Sequence, residues 1–103
     1  MSEYVKLTTT SELPPVGEAR EFELNGKTIC IANTGDAFAA LDNVCLHRGG
    51  PLGQGIVDGN KIICPWHGWM FDVTTGACTH DTNARVRVYA MKVEGDDVLV
   101  ALD

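Results

Sequence analysis

A chain of 103 residues, with fourteen Asp and Glu against eight Lys and Arg and a net charge of −6, has the size of one domain and an acidic surface. That balance argues against a nucleic-acid partner, because phosphate binding needs a clustered basic surface and none is present. No run reaches the length of a membrane helix, about twenty apolar residues. Met1 to Lys6 also lacks the basic-then-apolar order of a signal peptide, so a cytoplasmic protein without a membrane partner is expected.

Short strands account for most of the chain. Glu3 to Thr8 reads as the first, and Thr9 to Gly17, with Ser11 and Pro14-Pro15, as a connection with room for one helical turn around Ser11-Glu12-Leu13. Glu18 to Leu24 and Lys27 to Asn33 flank Asn25-Gly26, the strongest short hairpin signal. This places Ile29 and Ile31 on one face and Cys30 on the other. After a turn at Thr34-Gly35-Asp36, Ala37 to Asp42 forms a third partner. Gly55 to Val57 and Lys61 to Cys64 flank a turn at Asp58-Gly59-Asn60. Met70 to Val73 ends at Thr74-Thr75-Gly76, where Asp72 is placed to accept hydrogen bonds from turn amides. Arg85 to Val93 alternates as one strand with Arg85 and Arg87 facing solvent, and Glu94 to Asp97 turns it into Val98 to Leu102. Many short strands and no helical period define an all-β sandwich or barrel, read as a single domain over 1–103.

Two stretches carry the chemistry. Cys45-Leu46-His47 and Cys64-Pro65-Trp66-His67 each offer one thiolate and one imidazole, and sixteen residues separate His47 from Cys64. A tetrahedral Cys2His2 zinc site would accept the set, and so would two irons that divide it, sulfurs on one and nitrogens on the other. Zinc fingers pair like with like at each knuckle, whereas each loop here is mixed. Gly49, Gly50, Gly53, Gly55 and Gly68 surround the two loops, and glycines let backbone N–H groups approach bridging sulfides. The ligand types favour a [2Fe–2S] cluster over zinc. The hairpin 55–64 would carry one ligand loop at each end, with the cluster-binding part at about 43–72.

C-x-H, sixteen residues and C-x-x-H resembles the Rieske pattern. Cys45 to Leu52 and Cys64 to Trp69 are similar to its soluble ferredoxin branch. The resemblance implies a Rieske-like antiparallel fold with a small cluster-binding subdomain and one [2Fe–2S] cluster per chain. It also implies that Cys45 and Cys64 hold the inner iron and His47 and His67 the outer one. Relatives from quinol-oxidising complexes carry a disulfide between the ligand loops, and a Ser and a Tyr whose hydroxyls bond to cluster sulfurs. The loops here have no second cysteine, and Trp69 and Phe71 stand at the hydroxyl positions. Fewer donors to sulfur lower the potential, so the expectation is a value near the bottom of the Rieske range of about −150 to +300 mV. The imidazoles should also make the potential fall at high pH. Thr79 to Asn83, at the position of the covering loop, has no proline.

Beyond the four ligands the readings are structural. Cys30 is expected as a buried strand residue and, with Cys78, as a thiol in a reducing compartment. His80 reads as an exposed loop residue and Arg48 as a surface ion-pair partner. Trp66 and Trp69 serve either docking or packing. With no nucleotide-binding glycine motif, the expected function is not an enzyme but a ferredoxin. Its electrons would come from a flavin-dependent reductase and go to an oxygenase or other redox enzyme. The acidic surface would either steer such partners or only confer solubility. The alternatives are a small Rieske-type subunit of a reductase such as assimilatory nitrite reductase, and a metal-stabilised interaction module without redox duty.

Overall fold

The central hairpin shows how the chain builds its layers. At the two-residue turn Asn25 and Gly26 have φ of 52° and 81°, the mirror-image turn that suits the right-handed twist of paired strands. Strands β2 (Ala19–Leu24) and β3 (Lys27–Asn33) pair antiparallel from it, in the register Leu24 to Lys27 through Ala19 to Ala32. On β3, Ile29, Cys30, Ile31 and Ala32 are all fully buried, so both faces of this strand lie inside the protein. Cys30 and Ala32 join one apolar cluster, and Ile29 and Ile31 join another.

The computed structural model describes residues 3–43, 51–66, 68–79 and 85–101. Its strands are β1 (Tyr4–Thr9), β2, β3, β4 (Phe38–Asp42), β5 (Ile56–Asp58), β6 (Lys61–Ile63), β7 (Met70–Asp72), β8 (Val88–Tyr89), β9 (Met91–Glu94) and β10 (Asp97–Ala101). They form three antiparallel sheets, ordered β1-β10-β9, β2-β3-β4-β8 and β5-β6-β7. The second sheet is the middle layer. Ile29, Ile31, Ala40 and Tyr89 on one of its faces pack with Val100, Leu7 and Met91 of the first sheet. Cys30, Ala32 and Leu41 on the other face pack with Val57, Ile62 and Phe71 of the third. Burying an Ile or Phe side chain contributes about 1.5–3 kcal/mol, and the middle sheet makes such contacts on both sides. The all-β, antiparallel expectation holds, and β5-β6-β7 is the small subdomain beside the ligand loops.

The helical turn expected around Ser11 to Leu13 is present as a 3-10 turn at Thr10–Glu12, whereas a second 3-10 turn, at Leu52–Gln54, and the course of 85–93 differ from the sequence reading. Arg85 to Val93 is not one strand. Val88 and Tyr89 pair with β4, the chain passes exposed Ala90, and Met91 to Glu94 pairs with β10 in another sheet. The alternation is real, but the residues on either side of exposed Ala90 pair in different sheets. Arg85 and Arg87 are exposed as expected, and the Arg87 guanidinium lies 5.0 Å from the Tyr89 ring centroid. Among the described residues no helix is long and apolar enough to cross a membrane.

Candidate metal centre

Of the four candidate ligands the structure describes Cys64. Cys45, His47 and His67 lie outside the described residues, as do Arg48 and His80. Cys64 follows β6 directly and is 2% exposed, packed in the same apolar cluster as Leu52, Ile62 and Phe71. No disulfide joins it to Cys30 or Cys78.

Local hydrogen bonds shape the turn that starts at Cys64. Its N–H donates to the Trp69 carbonyl at 2.8 Å, and its carbonyl accepts the Gly68 N–H at 3.0 Å. Gly68 has φ +74°, a left-handed conformation that a side chain would strain. The turn joins β6 to β7, which pair as Ile63 with Met70 and Ile62 with Phe71. It therefore sits at the end of a two-stranded support whose inner residues are buried.

The other ligand segment is closed at its root. The Leu52 N–H donates to the Asn43 carbonyl at 2.7 Å, so the residues flanking 44–51 meet. From there the chain runs through Leu52–Gln54 and Gly55 into β5, which pairs with β6 as Ile56 with Ile63. A Cβ on Gly55 would fall against the Ile63 carbonyl oxygen, so only glycine lets the backbone pass this close. Ile63 is the residue before Cys64. The described chain after the first candidate segment is thus laid against the residue that precedes Cys64.

Further residues frame this end. The Thr79 N–H donates to the Met70 carbonyl at 2.9 Å, and Phe71 bridges to Cys78, so the chain next to 80–84 begins beside the second ligand turn. Trp66 is 55% exposed and Pro65 is exposed beside it, whereas Trp69 is half-buried against the core. The two tryptophans therefore divide the roles left open by the sequence, one facing outward and one packing. Asp72 accepts from the Thr74 N–H and hydroxyl and the Thr75 N–H, as expected, and these bonds, led by the Thr74 hydroxyl, hold its carboxyl below the ordinary value. Cys30 is the buried strand thiol foreseen, pushed up to about 12 by burial and by Glu21. Asn43 was not singled out by sequence reasoning, because its partners lie far along the chain. Among the described residues no group of three or more His, Cys, Asp or Glu converges as a metal site.

The donor set fits a [2Fe–2S] group. Cys64 is an unbridged thiol shielded from water at the start of a tight turn, and a second Cys-and-His segment is tied in sequence to the same sheet edge. Residues 3–93 match the model of the Rieske [2Fe-2S] domain, and the chain belongs to that family. Membership carries the cofactor with it: this is a [2Fe–2S] protein. Within the family it is similar to the ferredoxin component of biphenyl 2,3-dioxygenase from Rhodococcus jostii, 33% identical over 99 residues that span 95% of this chain and 92% of that one. It is also similar in structure to the ferredoxin of carbazole 1,9a-dioxygenase from Nocardioides aromaticivorans, with a TM-score of 0.84, 34% identity and coverage of 97% and 98%. A chain from the complex of reduced oxygenase and oxidized ferredoxin in carbazole 1,9a-dioxygenase matches at a TM-score of 0.82 and 29% identity, covering 98% and 94%. A putative NADH-dependent nitrite reductase small subunit from Mycobacterium tuberculosis shares the fold, with a TM-score of 0.86 at 22% identity and coverage of 98% and 96%. The chain spans only 16% of methylxanthine N1-demethylase NdmA from Pseudomonas putida, with 41% identity over 56 residues that make up 54% of this chain.

Proposed function

We propose that this chain is a ferredoxin that carries one electron at a time from a flavin-dependent reductase to an oxygenase, and is a carrier rather than a catalyst. The observation that supports this best is the match along nearly the whole chain to ferredoxin components of dioxygenase systems. In the same reading Cys45 and Cys64 hold one iron of the cluster, and His47 and His67 hold the other. Bound there, the cluster supplies reversible one-electron chemistry. The protein's own residues determine access to it. The burial of Cys64 in the Leu52, Ile62 and Phe71 cluster keeps water from the thiolate side, and exposed Pro65 and Trp66 offer an apolar surface beside His67 in sequence. The acidic balance favours partners with basic patches. A reducing, cytoplasmic location is in keeping with Cys30, a buried strand thiol without a bridge.

Anaerobic redox titration of the purified protein tests the function, with one electron taken up reversibly per chain as the expected result. A protein that takes up none would refute it. The ligand assignment is tested separately by Cys45→Ser, His47→Ala, Cys64→Ser and His67→Ala. Each should abolish the visible absorption of the cluster, and full retention in any one removes that residue from the set.

A further inference from the structure

Among the described residues Asn43, at 5% exposure, carries the only buried side chain with an amide or charged group. Its polar contacts with the described residues tie together parts of the chain that are distant in sequence. Its Oδ1 accepts the Gly53 N–H at 2.6 Å, and its Nδ2 donates to Glu21 Oε2 at 2.6 Å. The other Glu21 oxygen accepts Gln54 Nε2 at 3.1 Å. On the backbone, the Asn43 N–H donates to the Thr28 carbonyl at 3.2 Å, and the Asn43 carbonyl accepts the Leu52 N–H. One residue thus grips both ends of the segment that contains Cys45 and His47 and fastens it to β2 and β3. Glu21 opposes Cys30 in the register, on the face of the middle sheet turned to the third. A Cβ on Gly53 would fall against Glu21 Cγ and Asn43 Oδ1, so a larger residue there would have to displace one of them.

We propose that Asn43 is a positioning residue for the cluster, holding the first ligand segment at the width the metal centre requires, with Glu21 as its anchor in the middle sheet. This rests on the ligand assignment above. A segment of this length would otherwise sample many conformations, and presenting a thiolate and an imidazole together would cost their ordering. Groups that orient ligands without touching the metal commonly change metal affinity by about 10–100-fold. Charge assistance strengthens the Asn43 to Glu21 bond, and its partial burial limits competition from water.

The test exchanges the polarity of the pair. N43D keeps an oxygen for Gly53 but sets a second carboxylate against Glu21. In N43D/E21Q the Gln amide becomes the donor, the new carboxylate accepts it, and the Gln carbonyl oxygen still receives Gln54. The readouts are the rate at which visible absorbance is lost in a chelator and the electron paramagnetic resonance spectrum of the reduced protein. N43D should lose the cluster about tenfold faster and give an altered spectrum, and the double variant should return to within about threefold of the parent. If N43D does not accumulate as holoprotein, recovery in the double variant supports the proposal equally. Parental behaviour of N43D, or a double variant no better than N43D, overturns it. A parent that contains no cluster would instead refute the function proposed above, so the two failures are distinct.

Discussion

Phe71 is fully buried in the cluster of side chains that holds Cys64, yet it brings no hydroxyl to the metal site. The resemblance to the Rieske pattern implies a tyrosine at this position in high-potential relatives, with its hydroxyl donating toward sulfur. A donor there disperses negative charge and favours the reduced state. Phe71→Tyr should therefore raise the reduction potential, measured by protein-film voltammetry. An unchanged or lower potential would contradict the expectation that a missing hydroxyl at this position lowers it. Asp72, next in sequence, does a different job, capping the turn after β7 through Thr74 and Thr75 and lying 3.7 Å from the Lys61 amine. Its carboxyl lies below the ordinary 3.8, so its contribution is present above that pH and is lost as pH falls through the folded value. Asp72→Asn should lower stability by about 1 kcal/mol near neutrality. That difference should shrink in acid, as chemical denaturation at several pH values would show.

Strand pairing connects such residues to the layers. β8 is only two residues long, and Tyr89 secures it by donating its hydroxyl to the Asp42 carboxylate of β4, with Arg87 over the ring. Burial, and then the Asp42 bond and charge, push the Tyr89 phenol from 10.0 up to about 12. Because the folded value is raised, this contribution is intact below pH 10.0 and is lost as pH rises through about 12. Tyr89→Phe should cost about 1–2 kcal/mol near neutrality, since it leaves the Asp42 carboxylate short of a donor. An equally stable variant would show that β8 is held by packing alone. The hairpin at Asn25-Gly26 and the faces of Ile29, Cys30 and Ile31 were legible from sequence because their causes are local: turn chemistry and a two-residue period. The two Cys-and-His stretches were legible because the donor chemistry is carried by the residues themselves. The change of sheet at Ala90 was not, because alternation continues across it and only the third dimension separates the two partners. The Asn43 grip was hidden for the same reason, since Glu21 lies 22 residues away.

Across the whole molecule, the middle sheet is packed on both faces and the β5-β6-β7 sheet, which leads into the Cys64 turn, is a short three-stranded attachment at one of them. Its strands of three residues each bury little on their own, so under the proposed ligand assignment a metal centre joining the two Cys-and-His stretches would add to folding stability. Removing the metal should lower the melting temperature by several degrees, roughly 4–8 °C per kcal/mol for a domain of this size. By the layer argument, hydrogen exchange should quicken in β5, β6 and β7 before β3. Uniform quickening would mean that the layers do not open separately. The most direct test of the central claim is elemental, made on freshly purified protein by measuring iron, zinc and acid-labile sulfide per chain. A [2Fe–2S] centre requires two irons and two sulfides for each polypeptide, whereas zinc without labile sulfide would contradict this account.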